Sequence, residues 1–333
     1  MGLKLRWGIL GCAAIARRAL VPAIHASETG ELAAVASRSP EKARQFASEC
    51  DIPRAYGSYE ELLADAEIDA VYIPLPNHLH APWTVRAAQA GKHVLCEKPL
   101  AMDAGEARAM VEACERAGVK LAEAFMYRYH PRYERVRSLL EAGEIGEVRG
   151  VNGHFTFNNA GAEGNVRFDR AMGGGSLYDV GCYAIDSARY LLGREPVAAT
   201  AHAFFSRLHD GVDMYAAGLL EFGNGLSAAF DCGMWAGFRN RIEIVGADGR
   251  IEIPHAFLYP SAADARFTVH TRDGVRTEPT PDVNQYTLQV DSFGLSVLFD
   301  APLRFAPDWS VRNMRVIDAC LRSARNGERV VLA

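Results

Sequence analysis

Residues 5–16 read Leu-Arg-Trp-Gly-Ile-Leu-Gly-Cys-Ala-Ala-Ile-Ala, and this stretch decides the fold of the first part of the chain. Its apolar start predicts a buried β-strand, and a helical pattern follows over 13–26. A glycine turn between a strand and a helix is where a dinucleotide binds, because free N–H groups at the helix start face the pyrophosphate. Gly11 takes the first glycine position, whereas Ala13 and Ala16 occupy the second and third. Alone, the motif is therefore also compatible with an ordinary strand–helix turn.

The same alternation of apolar strands and helices continues to about residue 124. It includes a strand over 93–96 and a helix over 104–117, and it predicts a parallel sheet covered on both faces. The later part of the chain has a helix over 131–141 and then consecutive strands, one of them over 242–245, with glycine turns between them. We therefore expect an α/β protein with two domains. They are a doubly wound Rossmann domain over 1–124 and an α/β domain with a large open, mostly antiparallel sheet over 125–333, whose C-terminal helix packs back on the first domain.

Composition excludes several classes of protein. The 333 residues carry a formal net charge of -5, with 49% hydrophobic and 23% charged residues. Nucleic acid needs a clustered basic surface, so we expect no such partner. No apolar run is long enough to cross a bilayer, and no secretory signal is visible, so we expect a cytoplasmic protein without membrane contact. The seven cysteines are scattered, which predicts reduced thiols and, with no ligand-type spacing, no metal site.

The end of the second predicted strand indicates which cofactor binds. Its sequence is Ser37-Arg38-Ser39-Pro40-Glu41-Lys42. An enzyme specific for NAD usually has a carboxylate here that binds the ribose 2′-hydroxyl. A hydroxyl, a guanidinium and an ammonium instead suit the 2′-phosphate of NADP. The alternative, that Arg38 and Lys42 are merely solvated residues at a helix start, remains open at this point.

Two further segments have the residue types of an active site. Residues 76–80 (Pro-Asn-His-Leu-His) and the Glu97-Lys98-Pro99 tripeptide follow buried strands, at the sheet edge where ligands of parallel sheets bind. We expect the Lys98 ammonium beside the nicotinamide and the substrate oxygen. A surface ion pair between Lys98 and Glu97 is the alternative.

The second segment, residues 173–186, begins with Gly-Gly-Gly-Ser and contains Asp179 and Tyr183. Four residues separate these two side chains on a predicted helix, so they share one face. Tyr183 is a candidate general acid/base, and Asp179 a candidate acceptor for a substrate hydroxyl. Core packing of the tyrosine and a structural hydrogen bond from the aspartate are the alternatives.

Together, these segments closely resemble the glucose–fructose oxidoreductase/inositol dehydrogenase/MocA family over nearly the whole chain. Tyr183 stands where the common motif has histidine, which is similar to the branch with D-xylose dehydrogenase, dihydrodiol dehydrogenase and glucose–fructose oxidoreductase. Some nucleotide-sugar 3-ketoreductases share this tyrosine. The resemblance implies an NADP(H)-dependent oxidoreductase acting on the CH–OH or C=O group of a sugar, of the D-xylose or D-glucose 1-dehydrogenase type. It also implies that Arg167 and Tyr286 lie near the nicotinamide half of the cofactor.

The candidate residues fall into three sets. The catalytic candidates are Lys98, Tyr183 and Asp179. The cofactor candidates are Gly11, Cys12, Ala13, Ala14, Ile15, Ser37, Arg38, Lys42, Leu75, Pro76, Asn77, His80, Glu97, Lys98, Arg167 and Tyr286. The substrate candidates are Lys98, Tyr127, Arg128, Arg167, Asp179 and Tyr183.

Other functions and the oligomeric state also remain open. An NADPH-dependent keto-sugar or dicarbonyl reductase would use the same site, and a glycosidase that oxidises its substrate transiently would favour tightly held NAD. A regulator that binds NADP(H) without catalysis would typically lack Lys98 and Tyr183. We expect a carbohydrate substrate and a homodimer or homotetramer formed through the C-terminal sheet. Trp235 and Phe238 are expected to be core residues or subunit contacts more than sugar-binding residues.

Overall fold

A computed structural model describes residues 3–332, and the chain divides into two compact units. The first unit is Met1–Tyr129 together with Asn284–Arg312, and the second is His130–Val283 together with Asn313–Ala333. The boundary therefore lies five residues after the predicted one, and a second stretch of chain completes the first unit. Within the described residues, no helix has both the length and the apolar character needed to cross a membrane.

Helices and strands alternate along the chain in the first unit, whereas most strands of the second unit follow one another without an α-helix between them. The strands, in chain order, are β1 (Leu5–Leu10), β2 (Gly30–Ala36), β3 (Arg54–Tyr56), β4 (Ala70–Ile73), β5 (His93–Cys96), β6 (Leu121–Glu123), β7 (Val148–Asn158), β8 (Ala198–Phe205), β9 (Asp213–Glu221), β10 (Ser227–Gly233), β11 (Trp235–Gly246), β12 (Arg250–Pro254), β13 (Phe267–Thr271), β14 (Gly274–Glu278) and β15 (Val330–Val331). The α-helices are α1 (Val21–His25), α2 (Pro40–Glu49), α3 (Tyr59–Ala64), α4 (His80–Gln89), α5 (Ala104–Ala117), α6 (Pro131–Glu141), α7 (Cys182–Leu192), α8 (Gln285–Leu298) and α9 (Pro307–Asn326).

The sheet of the first unit has six strands in the order β3-β2-β1-β4-β5-β6, and all neighbouring strands are parallel. This confirms the predicted doubly wound sheet. The strand order reverses between β1 and β4, and ligands of such sheets bind outside the carboxyl ends of the strands at this point. The residues after β1, β4 and β5 therefore share one edge of the sheet.

Helix α8 completes the core of the first unit. The Trp7 side chain is fully buried, and its ring packs against Phe293 of α8 at a centroid distance of 5.3 Å. On the same helix, Asp291 accepts a hydrogen bond from the Ser27 hydroxyl at 2.5 Å and one from the backbone N–H of Thr29 at 3.1 Å. Residues 284–312 therefore belong to this unit by packing, although some 155 residues of chain separate them from Tyr129.

The second unit contains a nine-stranded sheet in the order β14-β13-β12-β11-β7-β10-β9-β8-β15. Strand pairs are antiparallel apart from β7 and β10, which run parallel, so the sheet is mostly antiparallel as predicted but is not a simple meander. Strand β11 starts at Trp235, earlier than the predicted 242–245, and is irregular between Trp235 and Arg239. A half-buried strand is recognised by alternating apolar and polar residues. This alternation is lost in the first half of β11, because exposed side chains there include large apolar ones.

Helix α7 packs directly on one face of this sheet. Gly153 of β7 allows the approach, because a Cβ at this position would lie 3.1 Å from the Cβ of Ala184. This close approach holds the helix that carries Tyr183 against the sheet.

Trp235 and Phe238 are 44% and 62% exposed, so neither is a core residue of this chain.

Candidate active site

The turn after β1 exposes its backbone to a ligand. Gly11 has φ of 111°, a conformation that favours glycine, and its N–H donates to the carbonyl of Ala36 at 2.8 Å. A Cβ on Gly11 would lie 2.8 Å from Cδ2 of Leu75, which follows β4. Residues 12–15 are partly or fully exposed ahead of a π-helical turn, Ala16–Leu20, that leads into α1. The turn therefore fits a pyrophosphate despite its alanines.

We expect Gly11→Ala to weaken NADPH binding about 10-fold, because a left-handed backbone costs a non-glycine residue roughly 1–2 kcal/mol and the new methyl group presses on Leu75. Titration of NADPH fluorescence measures this dissociation constant. Gly91→Ala is the matched control, since Gly91 has φ of 71° but no atom within 4 Å of its Cβ position. Equal NADPH affinity in the two variants would show that the turn does not contact the cofactor.

The segment after β2 is folded so that two cationic side chains face solvent. Ser37 is buried, and its hydroxyl accepts the backbone N–H of Ser39 at 3.2 Å. Ser39 in turn caps α2 by accepting the N–H of Lys42 at 3.3 Å. Arg38 and Lys42 are exposed, and the Cys12 thiol contacts the Lys42 carbonyl at 3.6 Å. The predicted 2′-phosphate residues thus lie next to the Gly11 turn.

Tyr59, which the sequence analysis missed, supports Arg38. The Arg38 guanidinium interacts electrostatically with the Tyr59 hydroxyl, which lies 3.7 Å from the Cβ position of Gly11. Burial raises the pKa of this phenol, and the guanidinium partly offsets the effect. Trp83 packs edge-on against the Tyr59 ring at 4.7 Å. A residue of α3 therefore helps to orient Arg38, and α3 is an element that the sequence pattern does not predict.

His80 joins the segments that follow β4 and β5. Its Nε2 lies 2.8 Å from the carbonyl of Leu75, and its Nδ1 lies 2.9 Å from the carbonyl of Pro99. Burial lowers the pKa of this imidazole to about 4, so the ring is neutral at pH 7 and its single N–H serves one carbonyl at a time. Pro76 and Asn77 begin the short turn that precedes His80 and are partly exposed. His80 thus shapes the sheet edge without titrating at neutral pH.

Glu97 and Lys98 follow β5 at the same edge. The Glu97 carboxylate accepts the Tyr72 hydroxyl at 2.5 Å and the backbone N–H of Lys98 at 3.2 Å. The peptide bond between Lys98 and Pro99 is cis. Both charged side chains are half-buried. Lys98 thus follows the carboxyl end of β5, at the sheet edge where a ligand of this sheet would bind.

In the second unit, the glycine loop before α7 makes close contacts with two other segments. A Cβ on Gly174 would overlap the carbonyl of Arg167, and one on Gly175 would overlap the carboxylate of Asp213. A π-helical turn, Leu177–Gly181, continues directly into α7. The Arg167 side chain donates from Nε to Oδ2 of Asp179 at 2.7 Å. The structure therefore brings two predicted site residues together as an ion pair.

Tyr183 is enclosed by aromatic rings. It is 6% exposed, and its ring lies 5.5 Å from Phe155 of β7 and 5.1 Å from Phe257. Phe155 and Phe257 also stack on each other at 5.4 Å. This packing restricts the tyrosine ring to one orientation. The two phenylalanines are further residues that the sequence analysis did not single out.

Three other candidates lie in the first unit. Tyr127 and Arg128 are buried, and the Arg128 guanidinium lies over the rings of Phe125 and Phe305 at 5.1 and 4.2 Å. Tyr286 begins α8, where its backbone N–H donates to the capping Asn284 side chain at 2.9 Å. Their contacts with substrate or cofactor stay predictions. Among residues 3–332, no cluster of three His, Cys, Asp or Glu side chains is arranged to hold a metal ion.

Two family models match the chain. Residues 5–125 match an oxidoreductase family with an NAD-binding Rossmann fold, and residues 133–252 match the GFO/IDH/MocA C-terminal domain. The chain is 42% identical to D-xylose 1-dehydrogenase (NADP(+)) 2 from Haloferax volcanii, with 98% of this chain and 100% of the relative covered.

Solved structures match equally fully. Aldose-aldose oxidoreductase from Caulobacter crescentus, complexed with glycerol, has a TM-score of 0.92 and 34% identity, and the match covers 99% of this chain and 100% of that one. KijD10, a 3-ketoreductase from Actinomadura kijaniata in complex with NADP and TDP-benzene, has a TM-score of 0.90 and 33% identity, with 96% and 98% covered. With a parallel sheet, a glycine turn and matches along both units, the chain belongs to the GFO/IDH/MocA family of oxidoreductases.

Proposed function

We propose that this protein is an NADP(H)-dependent dehydrogenase that oxidises the anomeric CH–OH group of an aldose. The observation that carries the proposal is the ion pair of Arg167 with Asp179, one turn before Tyr183 on the same helical segment, an arrangement suited to polyhydroxylated substrates. The similarity to D-xylose 1-dehydrogenase over 98% of the chain supports the substrate class. Pentoses and hexoses are therefore the first compounds to test.

The chain has the groups needed to hold NADP(H). The Gly11 turn and the exposed residues after it receive the pyrophosphate, and Ser37, Arg38 and Lys42 bind the 2′-phosphate. Leu75, Pro76, Asn77, His80 and Glu97 form the wall at the ends of β4 and β5. When bound, the nicotinamide accepts or supplies the hydride.

Lys98 and Tyr183 manage the proton at the substrate oxygen. A free phenol has a pKa near 10, too high for an efficient base at neutral pH. A lysine ammonium nearby stabilises the phenolate and lowers this pKa. In the proposed mechanism, the Tyr183 phenolate removes the hydroxyl proton as the carbonyl forms, and Lys98 hydrogen-bonds the same oxygen. The aromatic packing around Tyr183 keeps its hydroxyl in one direction throughout.

Asp179 and Arg167 orient the sugar. A carboxylate accepts hydrogen bonds from hydroxyl groups, and a guanidinium donates to them, so the pair recognises a polyol from both sides. Arg167 also reaches the nicotinamide half of the cofactor in this proposal. Tyr127 and Arg128, which are buried, complete the substrate set as supports of the pocket wall.

A second candidate is reduction of a keto-sugar by the same residues in the opposite direction. The match to KijD10, a 3-ketoreductase with NADP and TDP-benzene bound, favours this alternative. In this direction Tyr183 donates the proton that it accepts in the oxidation, because the forward and reverse reactions share one transition state.

Absorbance at 340 nm distinguishes these functions. The protein is mixed with NADP⁺ or NAD⁺ and a panel of aldoses that includes D-xylose and D-glucose, and separately with NADPH and keto-sugars or dicarbonyls. We expect turnover of a pentose or hexose with NADP⁺. Turnover only with NADPH and a ketone would assign the reductase function. NADPH binding without turnover of any compound would contradict both and indicate a regulator.

We also propose that the open face of the second sheet binds another copy of this chain. Phe204 and Trp235 stack on each other at 4.5 Å and remain 45% and 44% exposed, and Phe238 is 62% exposed. Stacked, exposed aromatic residues of this kind are typical of subunit contacts. We expect sedimentation at micromolar concentration to give a dimer or tetramer, and Trp235→Asp to shift it towards monomer. A wild-type monomer would contradict this.

A further inference from the structure

The carboxylate of Asp213, at the start of β9, is fully enclosed and receives several hydrogen bonds. Its Oδ2 accepts the Ser176 hydroxyl at 2.7 Å and the backbone N–H of Leu177 at 2.7 Å. The backbone N–H groups of Ser176 and of Asp213 itself also favour the charged form of this carboxylate and so oppose the rise in its pKa. Only 2% of the residue is exposed. A buried carboxylate with this many donors is held in a single orientation.

The Ser176 hydroxyl and the Leu177 N–H lie at the start of the helical segment 177–192. The residue before this segment, Ser176, has a helical backbone and does not cap the segment with its own side chain. Asp213 satisfies the first N–H group from a neighbouring strand, and its negative charge also suits the positive end of the helix dipole. The aspartate therefore replaces the local cap that the sequence lacks.

The glycine loop is fitted to this carboxylate as well. Gly175 has φ of 122°, and any side chain there would overlap Asp213. The N–H of Gly175 donates to the Arg167 carbonyl at 3.0 Å, and the N–H of Gly174 donates to the Asp169 carbonyl at 2.8 Å. The loop is thus fixed between Asp213 on one side and the backbone of the Arg167 segment on the other.

We propose that Asp213 is a positioning residue, which sets the place and direction of Asp179 and Tyr183 by anchoring the start of their helix. Its side chain is buried and acts through Ser176 and Leu177 without touching the substrate. The inference rests on the proposed catalytic role of Tyr183. Asp179 and Tyr183 follow the anchored residues by one and two helical turns, so a shift of the helix start moves both side chains together.

The charge of Asp213 makes its anchoring role sensitive to pH. Burial raises the pKa of this carboxyl to about 6, whereas Ser176 and the backbone N–H groups oppose the rise. Protonation below this value turns one acceptor oxygen into a donor and breaks part of the cap. The titratable side chains on the elements around it include Cys232, whose thiol stays neutral because burial raises its pKa, and the paired Arg167 and Asp179. They also include Tyr215, whose hydroxyl donates to Asp231 at 2.9 Å.

The test compares Asp213→Asn, Asp213→Ala and wild type in the 340 nm assay with the substrate that wild type turns over. We expect kcat to fall about 10- to 100-fold in Asp213→Ala, the size of effect that a misplacement of about 1 Å produces, with the KM for NADP⁺ changed less than about 2-fold. Asp213→Asn keeps the shape and part of the hydrogen bonding, so we expect partial rescue of kcat. Wild-type kcat should fall as the pH drops below about 6, where Asp213 becomes protonated, and this fall should be absent in Asp213→Asn, whose amide does not titrate.

Ser176→Ala provides a variant that keeps the charge if the Asp213 variants fail to fold. It removes one donor from the carboxylate, and we expect a smaller fall in kcat, about 3-fold, with unchanged KM for NADP⁺. Asp103→Asn is the matched control, since Asp103 caps α5 in the first unit by accepting the N–H of Glu106 at 2.8 Å. Wild-type kcat and pH profile in Asp213→Asn and Ser176→Ala would overturn the proposal. An inactive wild type would instead refute the proposed function.

Discussion

Replacement of Tyr183 by phenylalanine should lower kcat about 10²- to 10⁴-fold while leaving the fold and NADPH binding intact, since general acid–base catalysis contributes this much. The substitution removes only the hydroxyl. The ring of Phe155 meets the tyrosine ring roughly edge-on and that of Phe257 packs against it at a tilt, and those contacts remain in the variant. Steady-state rates at 340 nm, together with an NADPH titration, measure the two effects separately.

Tyr190→Phe is the control for this experiment, because it makes the same chemical change on the same helix, two turns further along. We expect its kcat to stay within about 2-fold of wild type, as Tyr190 is buried and packs against Tyr133. If Tyr183→Phe retains near-normal turnover, the phenol does not transfer the proton, and another group must do so. A loss of NADPH binding in Tyr183→Phe would point instead to damage of the fold.

Local sequence patterns predict much of the first unit because its helices carry their own start and stop signals. The prediction of α5 over 104–117 has the bounds of the structure, with Asp103 as the N-terminal cap and Gly118 in a left-handed conformation at the end. The predicted β5 is also confirmed, since its buried strand stands between two glycine-ended helices. Here each element is specified by residues within about five positions of its ends.

The elements that sequence patterns miss depend on distant partners. Strand β3 and helix α3 are short, and β3 is exposed enough to lack an apolar pattern. The parallel pairing of β7 with β10 joins segments about 75 residues apart, which no local turn sequence encodes. Such non-local pairings form because the two strands share a core, and one chain segment does not reveal the other.

The same distinction applies to the candidate site. Residues in recognisable motifs, such as Lys98 and Tyr183, can be selected from the sequence because each motif has a characteristic order of residues. Tyr59 and Asp213 have no such motif. Tyr59 matters through its electrostatic interaction with Arg38, and Asp213 through the cap it provides for a distant helix. The one local signal for Asp213 is an acidic residue between Val212 and Met214, both fully apolar and buried.

Cofactor selectivity is the second property for which we expect a large effect. Arg38→Ala should weaken NADPH binding about 10- to 100-fold, since a charge-assisted hydrogen bond to a phosphate is worth roughly 1.5–3 kcal/mol. NADH binding should change less than about 2-fold, because NADH has no 2′-phosphate. Arg38 is exposed beside the Gly11 turn and is oriented by Tyr59, so its removal leaves the sheet edge intact. Fluorescence titrations with both dinucleotides measure the ratio of affinities.

The double variant Ser37→Asp/Arg38→Ala should reverse the preference. Ser37 follows β2 and its hydroxyl accepts the N–H of Ser39. An aspartate side chain can also accept this N–H, while its second carboxylate oxygen is available for the ribose 2′-hydroxyl of NADH. Arg44→Ala is the control for loss of positive charge, as Arg44 lies on α2 and pairs with Glu41 at 3.3 Å. If Arg38→Ala and Arg44→Ala lose NADPH affinity equally, the segment attracts the cofactor by net charge alone. If only Arg38→Ala loses it, and the double variant gains NADH, the 2′-phosphate is recognised at the end of β2.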